Sequence, residues 1–428
     1  MIVLLFEDEN FENFFPLTYT RPVFELRSGM LTVLERVERL FHDFRLLLFT
    51  RDYLLATLKS RVSHPVDTIN KIDDEALLIN GTLHLDEKTA RMIGKKLDKN
   101  VAIIGTKGLI CARLSENVIR EHGHILAKPL SSSNLKIILK ECRVLKAKNY
   151  LLMNHPWDFV DDCAELIRKD YEALADRESK GTIDEKAVVY GEKTDVFLGE
   201  GSFVEAFVTL DARNGPIYIG DRTVVQSGSR ISGPAYIGND TIVASALIQE
   251  GCSVGNVCRI GGELEQTIVQ GYTNKHHSGY FGHTYIGEWV NVGAVTANSN
   301  LKNTYGTVKV TTRGKQVDTG RVKVGCFIGD HVKTSIGTQI YAGKKIGVAS
   351  HVTGVVVDDV SSFTLWAKSL GQKPVELYLQ SAIETQKRVF ARRGIRQTKK
   401  DVELLRQLFT LTAQDRRKAG VVKSKFQL

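Results

Sequence analysis

Residues 275–302 hold a density of side chains that can move protons and bind anions: Lys275, His276, His277, Tyr280, His283, Asn291, Asn300 and Lys302. An imidazole titrates near neutrality, so a histidine here is suited to take the proton from an attacking amine. An asparagine or a backbone amide can donate to the oxyanion of a tetrahedral intermediate. Lys275, Lys302, Lys309 and Arg313 offer positive charge to a phosphorylated substrate. Taken singly, His277 reads as a hydrogen-bonded corner histidine.

These residues sit inside a stretch that advances six positions at a time. Ile219, Val225, Ile231, Ile237 and Val243 keep the beat, Ile248 shifts it, and Val254, Ile260, Ile286 and Val292 resume it. Val322, Ile328, Thr334, Ile340, Ile346 and Val352 carry it on. Such a period suits neither a lone helix nor a flat sheet. It predicts short strands joined by corners, one branched side chain inward per hexapeptide and three faces per coil, a left-handed parallel β-helix over 186–370. Residues 303–321 break the beat and read as a loop thrown out from one corner, a common place for function in repeat folds.

Residues 1–150 alternate strand patterns (Ile2–Phe6, Leu46–Thr50, Leu77–Ile79, Val101–Gly105) with helical ones (Leu31–Phe41, Ser131–Leu145). Alternation of this kind predicts an α/β, Rossmann-like domain with a mostly parallel sheet and a crevice at the strand ends. Residues 151–185 read as a helical linker, with Trp157 packing one domain on the other. Residues 371–428 read as a basic helical tail, with one amphipathic helix opened by Pro374 (Val375, Leu379, Ile383, Val389, Phe390) and another marked by Leu404, Leu405, Leu408 and Phe409. The tail is expected to cap the last coil or pack on a neighbouring subunit; an acidic partner, RNA or a membrane surface is the alternative.

Of 428 residues, 58 are Lys or Arg and 49 Asp or Glu, a net charge of +9. Residues 371–428 contain fourteen Lys/Arg and five Asp/Glu, so the tail carries the whole surplus and the body has no electrostatic case for nucleic acid. No apolar run approaches the roughly 20 residues that span a bilayer. The acidic Glu7-Asp8-Glu9 after Met1–Phe6 argues against a signal peptide. Six cysteines without a CxxC pair read as reduced thiols of a cytoplasmic protein.

Two stretches carry a family resemblance. Pro16-Leu17-Thr18, Pro22 and Gly29-Met30-Leu31 resemble the signature of sugar-1-phosphate nucleotidyltransferases, without the family's Gly-rich phosphate loop or its lysine. The resemblance implies that Arg21 and Arg27 supply charge to the nucleotide and sugar phosphate. Leu78-Ile79-Asn80-Gly81 is similar to the family's N-G-D strand end, implying nucleotide binding at Asn80 and Gly81. Thr82 stands where the family's aspartate holds magnesium and Asp86 is the nearest acid, so no metal ligand is assigned.

Residues 276–303 resemble the acetyltransferase site of GlmU-type bifunctional enzymes, ungapped from His277 to Asn300 through Ile286-Gly287 and Val290-Asn291-Val292-Gly293-Ala294. The resemblance implies His277 as catalytic base, Asn300 beside the reacting amine, Tyr280 and Asn291 on the sugar phosphate, and Ala294 on acetyl-CoA; Lys275 and Lys302 would aid the substrate phosphate. Val295 and Leu301 depart from the family's glycine and tyrosine. The implied activity is acetyl-CoA-dependent N-acetylation of glucosamine 1-phosphate, with nucleotidyl transfer from UTP, using Mg²⁺, in the N-terminal domain. A homotrimer is implied as well. Two other readings stand beside it: a non-catalytic nucleotide-sugar scaffold, and a zinc enzyme like the γ-type carbonic anhydrases, built on His276, His277, His283, His331 and His351.

Overall fold

The computed structural model describes residues 1–67, 74–95, 97–126, 128–147, 152–174 and 178–425. They form two compact units. The first comprises Met1–Phe14, Thr20–Leu26 and Leu31–His155, and the second Phe15–Tyr19, Arg27–Met30 and Pro156–Leu428. The expected boundary between residues 150 and 151 lies outside the described residues.

The first unit is built on a six-stranded sheet in which the strand Ile2–Phe6, second from one edge, is apolar on both faces and buried throughout. It pairs in parallel with Arg45–Phe49 on one side and Ala76–Asn80 on the other. The expected mostly parallel sheet is in fact mixed, because Gly108–Leu114 runs antiparallel to both Ala76–Asn80 and Val101–Gly105. The Gly105–Gly108 turn forces this reversal, and Gly108 adopts a φ of +138° that favours glycine. The helix expected over Ser131–Leu145 ends at Lys140, and Arg143–Lys146 instead pairs in parallel with Val101–Ile104. Val33–Leu40 is helical, as the pattern over Leu31–Phe41 predicted. Thr32 and Glu35 close its first turn as a reciprocal capping box.

One buried ion pair ties this unit together. Glu7 has no solvent exposure and accepts hydrogen bonds from the Val23 amide, the Thr50 hydroxyl and the Arg51 guanidinium. Arg51 also donates to the Arg21 carbonyl, 2.7 Å away. The loop that carries Arg21 and Pro22 is thus pinned from beneath by a buried charge that Arg51 offsets.

The second unit is the parallel β-helix. One of its faces stacks Val196–Leu198, Ile217–Ile219, Ala235–Ile237, Cys252–Val254, Ile268–Gly271, Tyr285–Glu288, Phe327–Ile328 and Lys345–Ile346 as a ladder of parallel pairs. The hexapeptide residues from Ile219 to Val292, and Ile328, Ile340, Ile346 and Val352, form one continuous core. Each contributes about 1.5–3 kcal/mol by leaving water. Val322 is the exception: it is 44% exposed, and Val324 and Cys326 are buried in its neighbourhood instead. Thr334 is buried but serves a polar purpose, accepting from the Gly293 amide at 2.9 Å.

The Ile-Gly-Asp/Asn phrases are explained by the corners. The Asp221 amide donates to Asn239 Oδ1, 18 residues on, and the Asn239 amide donates to Asn256 Oδ1. A Cβ added at Gly220 would lie 2.2 Å from Asn239 Oδ1, so only glycine lets the carboxamide of the next coil close over the corner. The same contact spans 42 residues between the Glu288 amide and Asp330 Oδ1, because the chain makes an excursion before rejoining the stack. That excursion, expected as a loop over 303–321, contains a hairpin of Lys309–Thr312 against Lys315–Asp318.

In the linker region, Pro156–Asp161 and Cys163–Leu174 are helical and belong to the second unit. Trp157 packs within that unit, its ring 6.1 Å from that of Phe327. The tail begins with Val375–Glu376, a strand antiparallel to Thr364–Trp366, where the sequence pattern predicted helix. The helices Leu379–Ala391 and Lys399–Leu411 follow. Phe390 packs 4.4 Å from Trp289 and Phe409 packs edge-on 5.2 Å from Phe363. Arg416 is buried, pairs with Glu376 at 2.7 Å and lies over the ring of Phe409. The basic tail is therefore a folded part of its unit. Among the described residues, no helix is long and apolar enough to cross a membrane.

Candidate functional site

Parallel stacking brings Asn274 beside Asn291, and Asn291 in turn beside Lys333, on successive coils. Asn274, Asn291, His276 and His277 line an open groove of about 480 Å³ with the backbone at Gly293 and Ala294. His276 and His277 are both exposed and their rings meet edge-on, 5.3 Å apart. The residues that the resemblance assigned to acid–base work (His277), sugar binding (Asn291) and acetyl-CoA (Ala294) thus share one surface. Three residues without a sequence signal join them: Arg259, Arg392 and Arg393.

Tyr280 and Asn300 meet in a neighbouring polar cluster. Asn300 donates to the Tyr280 hydroxyl at 2.8 Å and contacts His283 Nδ1 at 3.0 Å. Tyr280 in turn donates to Glu265 Oε2 at 2.5 Å, and Lys323 donates to Glu265 Oε1 at 3.1 Å. Burial, with the Glu265 carboxylate reinforcing it, pushes the Tyr280 phenol up, so it remains a donor. Burial also pushes Glu265 up, but the bonds from Tyr280 and Lys323 and the nearby positive charge outweigh it and hold the carboxyl below its ordinary value. Burial pushes His283 down despite the opposing pull of Glu265, keeping the imidazole neutral near pH 7. An amide NH₂ can only donate, so His283 Nδ1 is assigned as the acceptor and Nε2 carries the proton. A carboxylate at Tyr280 does not suit the role implied for that residue, contact with a sugar phosphate.

Lys275 takes a different part from the one expected. It is buried, and its ammonium donates to the carbonyls of Gly261 at 2.7 Å and His277 at 2.6 Å. Desolvation pushes its pKa down to about 8. It braces the corner under His277 rather than meeting a ligand. Lys302 is exposed and donates to the Thr307 carbonyl at the start of the hairpin excursion.

The N-terminal candidates are equally built in. Asn80 is fully buried, donating to Asp8 and to the Leu109 carbonyl while accepting from the Thr82 amide and hydroxyl. Gly81 is required by closeness, since a Cβ there would lie 2.9 Å from the Phe6 carbonyl. Arg21 and Arg27 are both buried. Arg27 belongs to the second unit, where its amide donates to Tyr285 and Gln270 and its guanidinium to the Met30 carbonyl. Asp86 accepts from the Thr89 amide at the head of a helix. Among the described residues no group of three or more His, Cys, Asp or Glu is placed to hold a metal ion, so the zinc reading finds no matching donor set there. All six cysteines are free, and burial pushes Cys111, Cys252, Cys258 and Cys326 up to about 12, which removes them as nucleophiles.

His351 gives the second unit a pH dependence. Burial, aided by the Lys333 charge, pushes its pKa from 6.5 down to about 4. The unfolded chain therefore binds the extra proton first, and stability that is complete above about pH 6.5 is lost as pH falls towards 4. Thermal melts from pH 7 to 4 should show a shallower decline for His351→Gln than for the parent. Equal slopes would refute the assignment.

Residues 3–179 match the model of the family described as sugar nucleotidyl transferase. A bifunctional sugar-1-phosphate nucleotidylyltransferase/acetyltransferase of Sulfurisphaera tokodaii is 38% identical over 97 residues, which is 22% of this chain and 24% of that protein. The bifunctional protein GlmU of Methanocaldococcus jannaschii is 28% identical over 288 residues, 64% of this chain and 59% of the relative. The chain thus spans less than two thirds of either relative. Among solved structures, the UDP-N-acetylglucosamine acyltransferase of Francisella novicida aligns over 57% of this chain and 86% of its own, at 15% identity and a TM-score of 0.31. The chain is thus similar to GlmU proteins over part of its length: a region matching the sugar nucleotidyl transferase family model is followed by a parallel β-helix and a helical tail.

Proposed function

We propose that the β-helix unit transfers the acetyl group of acetyl-CoA to the amine of an amino-sugar 1-phosphate, glucosamine 1-phosphate being the first substrate to test. The observation that carries this reading is His277, exposed in a groove it shares with Asn291 and the Gly293–Ala294 backbone. The amine attacks the thioester carbonyl, and His277 removes its proton as the C–N bond forms. A backbone amide lining the groove donates to the oxyanion. When the C–S bond breaks, the proton passes to the departing CoA thiolate. His277 is thereby reset.

For the N-terminal unit we propose nucleotide-sugar recognition, with transfer from UTP as the activity to test. Burial of Arg21 and Asn80 favours a second reading for this unit, binding without turnover. A homotrimer in the cytoplasm, with small-molecule substrates and no nucleic acid, completes the proposal. The purified protein should release CoA when given glucosamine 1-phosphate and acetyl-CoA, and pyrophosphate when UTP and Mg²⁺ are added. CoA without pyrophosphate would assign catalysis to the β-helix alone. Silence in both assays would sink the reading.

A further inference from the structure

The Tyr280 cluster contains groups of the kind that hold a phosphate, a phenol, a carboxamide and the Lys323 ammonium, yet all are engaged in a network centred on Glu265. Glu265 Oε2 accepts from the Tyr280 hydroxyl at 2.5 Å, and Oε1 accepts from Lys323 at 3.1 Å. The Asn300 amide stands behind Tyr280 and donates to the phenol oxygen at 2.8 Å, while its second hydrogen faces His283 Nδ1 at 3.0 Å. Both Asn300 hydrogens are thereby committed, so its carbonyl oxygen is the group it offers to a ligand.

The fold makes room for this arrangement. Arg259–Glu265 and Tyr280–Gly282 pair in parallel, with Glu265 opposite Gly282. A Cβ on Gly282 would collide with the Tyr280 hydroxyl and lie 2.8 Å from Asn300 Nδ2, so glycine there lets the phenol fold across to the carboxylate. Glu263, opposite Tyr280, adds a second carboxylate whose charge also acts on the phenol. The buried Lys275 ammonium offsets Glu263 and Lys323 offsets Glu265, so neither cation is uncompensated.

We propose that Glu265 is a specificity-determining residue: its carboxylate fills the place that an acceptor's phosphate would take between Tyr280 and Lys323, so this end of the site receives the hydroxyls of an amino sugar and discriminates against a 1-phosphate. The inference rests on the reading of the β-helix as an acyl-transfer unit and narrows its acceptor class. An incoming phosphate has to displace a carboxylate tethered to the same coil, which is present at the site however dilute the ligand. It also meets that carboxylate's charge at close range. A sugar hydroxyl donates to the Asn300 oxygen or to Glu265 and meets neither obstacle.

The test compares glucosamine with glucosamine 1-phosphate as acceptors for the full-length protein, by CoA release and by calorimetric titration. Parent, Glu265→Gln and Glu265→Ala proteins are used, with circular dichroism as the check on folding. Removing the carboxylate charge frees the Tyr280 hydroxyl and the Lys323 ammonium. The kcat/KM for the phosphorylated acceptor relative to glucosamine should therefore rise by about 10- to 100-fold in both variants, through KM rather than kcat. A merely loosened structure would weaken both acceptors alike. An unchanged ratio in folded variants overturns the inference. If both variants unfold, the parent decides: it should bind glucosamine at least as tightly as glucosamine 1-phosphate, and a preference of about 10-fold or more for the phosphate overturns the inference. Affinities that shift as expected without any CoA release keep the specificity role and remove the proposed reaction. Parent and variants that bind neither acceptor overturn both.

Discussion

Replacing His277 with alanine is expected to lower CoA release by about 10²- to 10⁴-fold, the usual contribution of a positioned general base. The side chain is exposed at a corner, and its truncation empties no core space. What holds that corner is the Lys275 ammonium, which grips the His277 carbonyl rather than its imidazole. The variant should therefore melt at the parent temperature while losing the chemical step. His276→Ala is the matched control, since it removes the neighbouring imidazole from the same groove. A rate unchanged in His277→Ala would remove this residue from the mechanism, and a large loss in His276→Ala alone would transfer the role.

The second large effect is expected in the first unit. Glu7→Ala should cost about 3–5 kcal/mol, because it leaves the buried Arg51 charge without its partner. It also strips the Val23 amide and the Thr50 hydroxyl of their acceptor. Glu7→Gln should be milder, since it keeps one acceptor oxygen while losing the charge. Chemical denaturation followed by a probe in the first unit reads the difference. A Glu7→Ala protein as stable as the parent would show that Arg51 finds another counter-charge.

Legibility in the sequence followed the range of the interactions. The hexapeptide beat was readable because each inward residue repeats the same local requirement, and the coil stacks them into one core. Val322 broke the pattern where the chain rejoins the stack after the hairpin, a place where long-range pairing rather than the local period sets the register. The strands Ile2–Phe6 and Val101–Gly105 were readable as apolar runs. Gly108–Leu114 was not, because its direction is imposed by a tight turn from Val101–Gly105 and by a second partner, Ala76–Asn80, distant in sequence. In the tail, Val375 was read as helical from its apolar spacing, but an open strand edge at Leu365 captured it.

The candidate site divides in the same way. The family resemblance pointed to His277, Asn291 and Ala294 within one stretch, and stacking carried all three to one groove. Spacing could not reveal that Lys275 would turn inward to two carbonyls, or that Tyr280 would find Glu265 on the coil below. Nor could it show that Arg392 and Arg393, more than a hundred residues after His277, line the groove beside it.

By itself the sequence determined the β-helix, the α/β character of the N-terminal region and the stretch in which acyl-transfer chemistry is to be sought. The first two follow from periodicity, which is written in neighbouring residues, and the third from the resemblance carried by residues 276–303. Only the tertiary structure decided which charges face a ligand and which are consumed by the fold. A cation's role depends on the carbonyl, carboxylate or open groove that its side chain meets, and those partners come from other coils and from the folded tail.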